Sequence, residues 1–423
     1  MNSILEKYKI NRISILFFTL LCLTQFNISF DLNIIIERKV TLNVSVIAFS
    51  ILSIYLFYRI VLKKEYSELS KISIKILKLT AILVVYSIIS SIINYFFNSE
   101  FAISITMTSY IIFAMMTYIL IDLKKIKIHD IIRPIELFIL IINFILMIEL
   151  IINTDIRTTT VLGNINTYIS FMLINLPVVI SYSTKNKGEG ILKSLTIVLS
   201  FVFFILAGSR FGIVGLLVEC IFYAWINNKI NKETVFMSFK ITLLGIVIIV
   251  LLYNVNTSFK KVIERTFEYP IRIYSMITNS DYNSPYQPSE KSLTREKIYY
   301  KSLQTIRNNL LIGTGRPTVF FDGWGHQGAH NYILEILLCY GVLGGGIYIS
   351  LAIYPIIKVA ANKKNKKLTY MYLLSYIVAF FQSMFEPMLS TKMIILLCVY
   401  ALAASIINTE KIETMELECK IEK

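Results

Sequence analysis

The chain has 423 residues, of which 56% are hydrophobic and only 16% charged, and its mean hydropathy is +0.66. Soluble proteins carry about 25% charged residues, so this composition excludes a soluble globular domain. The formal net charge is +15, but its distribution along the chain argues against nucleic acid as the partner.

Apolar blocks recur at the length of about 20 residues that crosses a hydrocarbon core of ~30 Å. In chain order they predict twelve spans, at 12–30, 41–62, 74–97, 103–122, 132–152, 164–183, 191–207, 211–228, 237–254, 330–357, 369–386 and 390–408. Each is expected to be helical, because backbone N–H and C=O groups facing lipid must be satisfied within the segment. The expected fold is therefore an all-α polytopic membrane protein forming one integral domain over residues 1–423. The first span follows Lys7, Lys9 and Arg12, is too long for a signal-peptide core and lacks a small-residue cleavage site, so it reads as a retained signal-anchor. No repeat relates the two halves, and no broken mid-membrane helix is expected.

Placing both termini inside puts 27 of the Lys and Arg residues on inner segments and five on the short outer loops. This is the positive-inside asymmetry that sets orientation. Lys363-Lys364-Asn365-Lys366-Lys367 then reads as an inner anchor facing anionic lipid. The other ten basic residues lie in one long segment, 255–329, between the ninth and tenth spans, where six acids leave a net charge of +4. A positive excess held outside points to an anionic ligand. Cys22, Cys220, Cys339 and Cys398 fall in spans and Cys419 in the tail, which gives neither a disulfide framework nor metal-ligand spacing and reads as packing.

Within the external segment, residues 279–292 are turn-rich. From 292 to 311, Tyr299, Leu303, Ile306 and Leu310 recur at helical spacing, until Asn308-Asn309 and Gly313-Thr314-Gly315 end the pattern. The expectation is an amphipathic helix that lies on the membrane or packs over a cavity among the spans.

Arg210 lies in Ala207-Gly208-Ser209-Arg210-Phe211-Gly212, a tight outer turn between two spans. A guanidinium there either snorkels to the interface or serves a ligand. Arg295 and Arg316 flank the helix of the external segment and offer bidentate forks suited to phosphate oxygens, unless they are simply solvated. Arg265 and Arg272 add to the same positive field. His330 begins the tenth span beside Asn331, whose amide can orient the ring or a substrate. Imidazole titrates near neutral pH, which suits it to activating a hydroxyl. His326 stands in a glycine-flanked turn, Gly323-Trp324-Gly325-His326-Gln327-Gly328. A His326/His330 metal pair would have only Asp322 close by, so no metal is expected, and His129, in an inner loop, is read as inert. Glu219, Glu335 and Glu386 are acids of the outer-facing spans, each either an arginine partner or a direct participant. Glu335, five residues after His330, falls about 140° around a helix from it.

The run His330-Asn331, nine residues, then Gly341-Val342-Leu343-Gly344 resembles the signature of the O-antigen ligase and Wzy-type polysaccharide polymerase superfamily. Gly208-Ser209-Arg210, then Arg295 through Gly313-Thr314-Gly315, then His330-Asn331 occur in that family's order, and the twelve-span layout with a long external segment is similar too. The resemblance implies a GT-C-type membrane glycosyltransferase acting on undecaprenyl-diphosphate-linked glycans, with no cofactor and without metal. It implies that Arg210 and Arg295 hold the donor pyrophosphate with Arg316 helping, and that His330 takes the proton of the acceptor hydroxyl. Asn331, Arg265, Glu386 and His326 are the further residues expected at the substrate. The activity expected is polymerisation of lipid-linked repeat units at the outer face of the cytoplasmic membrane, with a chain-length regulator as a possible partner. Ligation of polymer to lipid A-core is the alternative, and a flippase the reading from another class.

Overall fold

The computed structural model describes residues 12–25, 29–32, 40–43, 51, 54–56, 58–98, 105–152, 165–182, 187–207, 210–226, 254, 295–361, 366–384 and 393–421. Its helices are α1 (Arg12–Gln25), α2 (Lys71–Asn98), α3 (Ile105–Leu123), α4 (Ile128–Ile152), α5 (Ile165–Ser181), α6 (Lys187–Leu206) and α7 (Arg210–Ile226), then α8 (Arg295–Asn308), α9 (Tyr332–Ala360), α10 (Lys366–Ser383) and α11 (Met393–Ile421). Two antiparallel hairpins accompany them, β1 (Ser29–Leu32) with β2 (Val40–Asn43) and β3 (Thr318–Phe321) with β4 (Gly325–Gly328).

The apolar blocks from 74 to 228 and from 330 onward coincide with helices, most ends agreeing within a few residues. Among the described residues, three helices are long and apolar enough to cross a membrane: Lys71–Phe96, Ile128–Glu149 and Tyr332–Ala360. Four shorter apolar helices accompany them, Met107–Leu123, Tyr168–Ser181, Gly212–Ile226 and Ile394–Thr409. The expected ninth span, 237–254, lies outside the described residues except for Asn254.

Several expectations are corrected. The fold is not purely helical. The first helix stops at Gln25, and Ser29-Phe30-Asp31-Leu32 and Val40-Thr41-Leu42-Asn43 alternate polar and apolar residues with the period of two that a strand requires. Their register aligns Phe30 with Leu42 and Leu32 with Val40. The last helix continues to Ile421, well past the expected end of its span. Most consequentially, α9 is broken: Gly341 has φ 60° and ψ −165°, a conformation outside the helical region.

Side-chain pairs sort the helix ends into two sets. At one end, Gln382 near the close of α10 donates to Ser170 near the start of α5, and Asn331 before α9 donates to the Met384 carbonyl after α10 (3.1 Å). At the other end, Arg133 of α4 bridges Glu136 and Glu189 of α6, His129 meets the Tyr182 hydroxyl (2.9 Å), and Lys367 of α10 meets Tyr223 of α7 (3.3 Å). Because α7 has Tyr223 at this second end, its first residue, Arg210, stands at the same end of the bundle as His330 and Asn331.

Candidate functional site

The described part of the segment 255–329 is a small folded unit. Ile298 and Ile306 of α8, Val319 of β3, Ala329 and Leu338 form one buried cluster, with Phe321, Leu334 and Leu337 packed on it. The α8 helix therefore docks on the first half of α9 along the stripe Ile298, Ser302 and Ile306. Of the residues expected to form its apolar face, only Ile306 lies on that stripe; Leu303 and Leu310 are exposed. Ser302 is wholly buried because its hydroxyl turns back to the Ile298 carbonyl (2.7 Å), which lets a small polar residue fill a core position.

The hairpin that follows is a strand pair where a glycine-flanked turn was expected. Gly323 (φ 77°) and Gly325 (φ 69°) take the left-handed conformations of its tight connection. His326 sits opposite Phe320 in register, ring against ring at 5.3 Å. Arg316 Nη1 lies 2.9 Å from His326 Nε2, and Thr318 Oγ1 lies 3.4 Å from Nδ1. A guanidinium only donates, so Nε2 accepts and the ring proton is carried on Nδ1. Arg316 and His326, two of the expected substrate contacts, are thus brought together as a pair.

His330 follows directly. Ala329 is completely buried, and Asn331 is the N-cap of α9, its Oδ1 accepting from the Leu334 amide (3.1 Å) while its Nδ2 reaches Met384. A cap of this type contributes about 1 kcal/mol to helix stability. Between these two anchors His330 is half-buried and held at φ 50°. A non-glycine residue in that region costs on the order of 1 kcal/mol or more, and such strain persists only where the surroundings impose it. His330 therefore precedes the helix instead of lying on it, and the expected 140° separation from Glu335 does not apply. Glu335 is buried beneath the hairpin, its Oε1 3.4 Å from where a Cβ would stand on Gly328.

The glycines of the two motifs explain each other. Segment 310–315 lies against the break in α9, where the Thr314 and Gly315 amides donate to the Leu338 and Cys339 carbonyls (2.7 and 3.0 Å). In return the Val342 and Leu343 amides donate to Leu310 and Leu311 (2.8 and 3.2 Å). A Cβ on Gly341 would stand 2.4 Å from the Leu311 carbonyl, and one on Gly313 would stand 2.5 Å from the Gly341 nitrogen. Two backbones approach this closely only where both residues lack side chains. Irregular backbone in a membrane-crossing helix is tolerated when its polar groups are satisfied by protein, and here they are. Sequence reading treated these glycines as a helix stop and a motif ending; their pairing across the fold carried no local signal.

Residues 195–349 match the O-antigen ligase family model. Over that stretch the chain is similar to the O-antigen ligase family, which supports the resemblance to the O-antigen ligase/polymerase superfamily. No curated relative matches the chain. The matched segment runs from within α6 through α7, α8, the hairpin and the break in α9, and so includes Arg210, Arg265, Arg295, Arg316, His326, His330 and Asn331. Together with the membrane-length helices, the match marks an integral membrane protein.

Within the matched segment, Arg295 is the first residue of α8 and Arg210 the first residue of α7. The α7 helix packs on α5, α6 and α10; its link to the α8–hairpin–α9 unit runs through the end of α10, where Asn331 is tied. Glu219 of α7 is fully buried, and among the described residues neither of its carboxylate oxygens has a hydrogen-bond partner, so no arginine pairs with it there. Arg265 and Glu386 lie outside the described residues.

Proposed function

We propose that this protein is a membrane glycosyltransferase that joins undecaprenyl-diphosphate-linked oligosaccharide units into O-antigen or capsular polysaccharide at the outer face of the cytoplasmic membrane. The observation that carries the reading is the shared core of α8, the hairpin and the first half of α9. It makes one unit of the helix that begins with Arg295, the Arg316–His326 pair and the strained His330. The site is assigned to the outer face because the basic residues concentrate on the opposite end of the bundle.

In the proposed reaction the acceptor hydroxyl attacks the anomeric carbon of the donor sugar while His330 takes its proton. The bond from that carbon to the phosphate oxygen breaks, the lipid diphosphate leaves with the electron pair, and the anomeric configuration inverts. Arg210 and Arg295 receive the leaving charge. Each opens a helix, where unpaired amides and the macrodipole favour an anion and disfavour a lone cation. A diphosphate answers both the guanidinium and the helix end, and stabilising developing charge in this way is commonly the largest catalytic contribution. Asn331, with one lone pair and one N–H already committed to protein, serves chiefly to fix His330. Arg316, His326, Arg265 and Glu386 complete the proposed substrate surface, with a chain-length regulator as a proposed partner.

The family description favours a second acceptor, lipid A-core, which would make the protein a ligase. Deleting the gene in its host separates the readings. Loss of the polymerase leaves single repeat units on lipid A or removes long capsule; loss of a ligase strands finished polymer on the lipid carrier. Repeat units trapped inside the cell would instead indicate a flippase and overturn the proposal.

A further inference from the structure

The break in α9 removes three helical hydrogen bonds, those by which the amides of residues 342, 343 and 344 would reach the carbonyls of 338, 339 and 340. Two are replaced by the backbone of segment 310–315, as described above. The third is replaced by one side chain. The Tyr86 hydroxyl, reaching across from α2, donates to the Tyr340 carbonyl at 2.8 Å and lies 3.4 Å from the Leu311 and Ile312 carbonyls. The hydroxyl therefore takes the Tyr340 carbonyl, which the amide of residue 344 would bond in an unbroken helix.

Gly344 is what admits it. A Cβ at that position would stand 2.1 Å from Tyr86 Cε1 and 2.6 Å from Cδ1, so the ring lies directly on the bare glycine backbone. The last glycine of Gly341-Val342-Leu343-Gly344 thus serves a residue on a different helix, far outside the matched segment.

We propose that Tyr86 is a positioning residue for the transferase site, its hydroxyl fixing the direction of the half-helix Tyr332–Tyr340 that begins at His330 and Asn331. This rests on the reading of His330 as the proton acceptor. The half-helix is a rigid rod of ~1.5 Å per residue. At its start it is tied to Met384, and at its close to Thr314, Gly315 and Tyr86. Without the hydroxyl, the Tyr340 carbonyl loses that donor, and the Gly344 amide is its partner in an ordinary helix. Re-forming the ordinary helical bond between them swings the rod and moves its far end. A displacement of about 1 Å at a reacting group costs on the order of a hundredfold in rate.

Tyr86→Phe keeps the ring on Gly344 and removes only the hydroxyl. In the full-length protein in nanodiscs, backbone amide exchange around residues 338–344 is expected to rise at least tenfold. Turnover should fall at least tenfold, with KM for the lipid-linked donor within twofold of wild type. Para-aminophenylalanine at position 86, which again offers a donor, is expected to restore both. Ser87→Ala is the matched control, since that hydroxyl bonds within its own helix to Leu83. Unchanged exchange in Tyr86→Phe, or raised exchange with unchanged turnover, overturns the proposal. If Tyr86→Phe accumulates poorly, the aminophenylalanine protein decides instead, because tenfold slower turnover with wild-type exchange overturns the positioning role. Exchange at the break is read without transferase activity, so a His330→Ala protein that keeps its activity would sink the site reading and leave the bridge intact.

Discussion

Replacing His330 with alanine is expected to lower polymer formation by two to four orders of magnitude, the range over which a positioned general base acts, ~10²–10⁴, while the protein still inserts and folds. The fold should tolerate the change because the anchors on either side are independent of the imidazole: Ala329 is buried in the cluster shared by α8 and α9, and the Asn331 side chain caps α9 and holds Met384. The left-handed backbone at position 330 (φ 50°) persists in the variant, since its neighbours impose it. Glycine at 330 separates ring from backbone: it relieves the strain, yet should be as inactive as alanine. Full-length polymer from a correctly inserted His330→Ala protein would remove the residue from the reaction. Residual slow transfer through charge stabilisation by the proposed arginines alone is expected.

The largest effect on folding is expected at Gly341. Alanine there must adopt φ 60° and ψ −165°, a region almost confined to glycine that costs about 1–3 kcal/mol. Its Cβ must also displace the Leu311 carbonyl from 2.4 Å, and that atom is backbone already engaged by the Leu343 amide. Overpacking against fixed atoms adds a further ~1–3 kcal/mol. The sum is comparable with the whole stability of many domains, so Gly341→Ala should be recovered poorly from the membrane and unfold at much lower temperature in detergent. Gly346→Ala is the contrast. Nothing lies within 4 Å of its Cβ position and its backbone is helical, so alanine should be neutral or slightly stabilising there. Equal thermal stability of the two variants in a fluorescence-detected size-exclusion series would contradict the account of the break.

What could be read from residues alone divides along the range of the interactions involved. Most helices in the described regions were legible because crossing a bilayer demands long apolar runs, and residues such as Ile131, Ile135, Phe138 and Ile142 announce α4 without reference to anything else. The candidate site was legible as a set of residue types in order: His330 beside Asn331, with arginines upstream. Its architecture was not. The left-handed His330 depends on a hairpin, and the hairpin on an α8 face whose buried stripe includes a serine. Hydrophobic periodicity selected Leu303 and Leu310 for that stripe; burial selected Ile298 and Ser302, because the partner surface is a small cluster that leaves the larger side chains outside. Likewise, Gly341 in an apolar run resembles a glycine that a helix merely tolerates. Only its contact with Gly313, and Tyr86 seated on Gly344, reveal a helix built to be interrupted.

The break also bears on the rival reading of a transporter, since interrupted membrane helices often line translocation sites. Here the amides of residues 342 and 343 and the carbonyls of 338, 339 and 340 are closed by segment 310–315 and Tyr86 instead of being left toward a cavity. That closure favours a fixed site at one end of the bundle over a path through it.

The most direct test of that site is transfer itself. Purified protein in liposomes, supplied with undecaprenyl-diphosphate-linked repeat units on the outer side, is followed for release of the lipid diphosphate and for product length. The account predicts a ladder of products rising one repeat at a time, with one lipid diphosphate released per step, abolished by His330→Ala. Repeat units crossing the bilayer without release of lipid diphosphate, or a ladder that His330→Ala leaves intact, would contradict it.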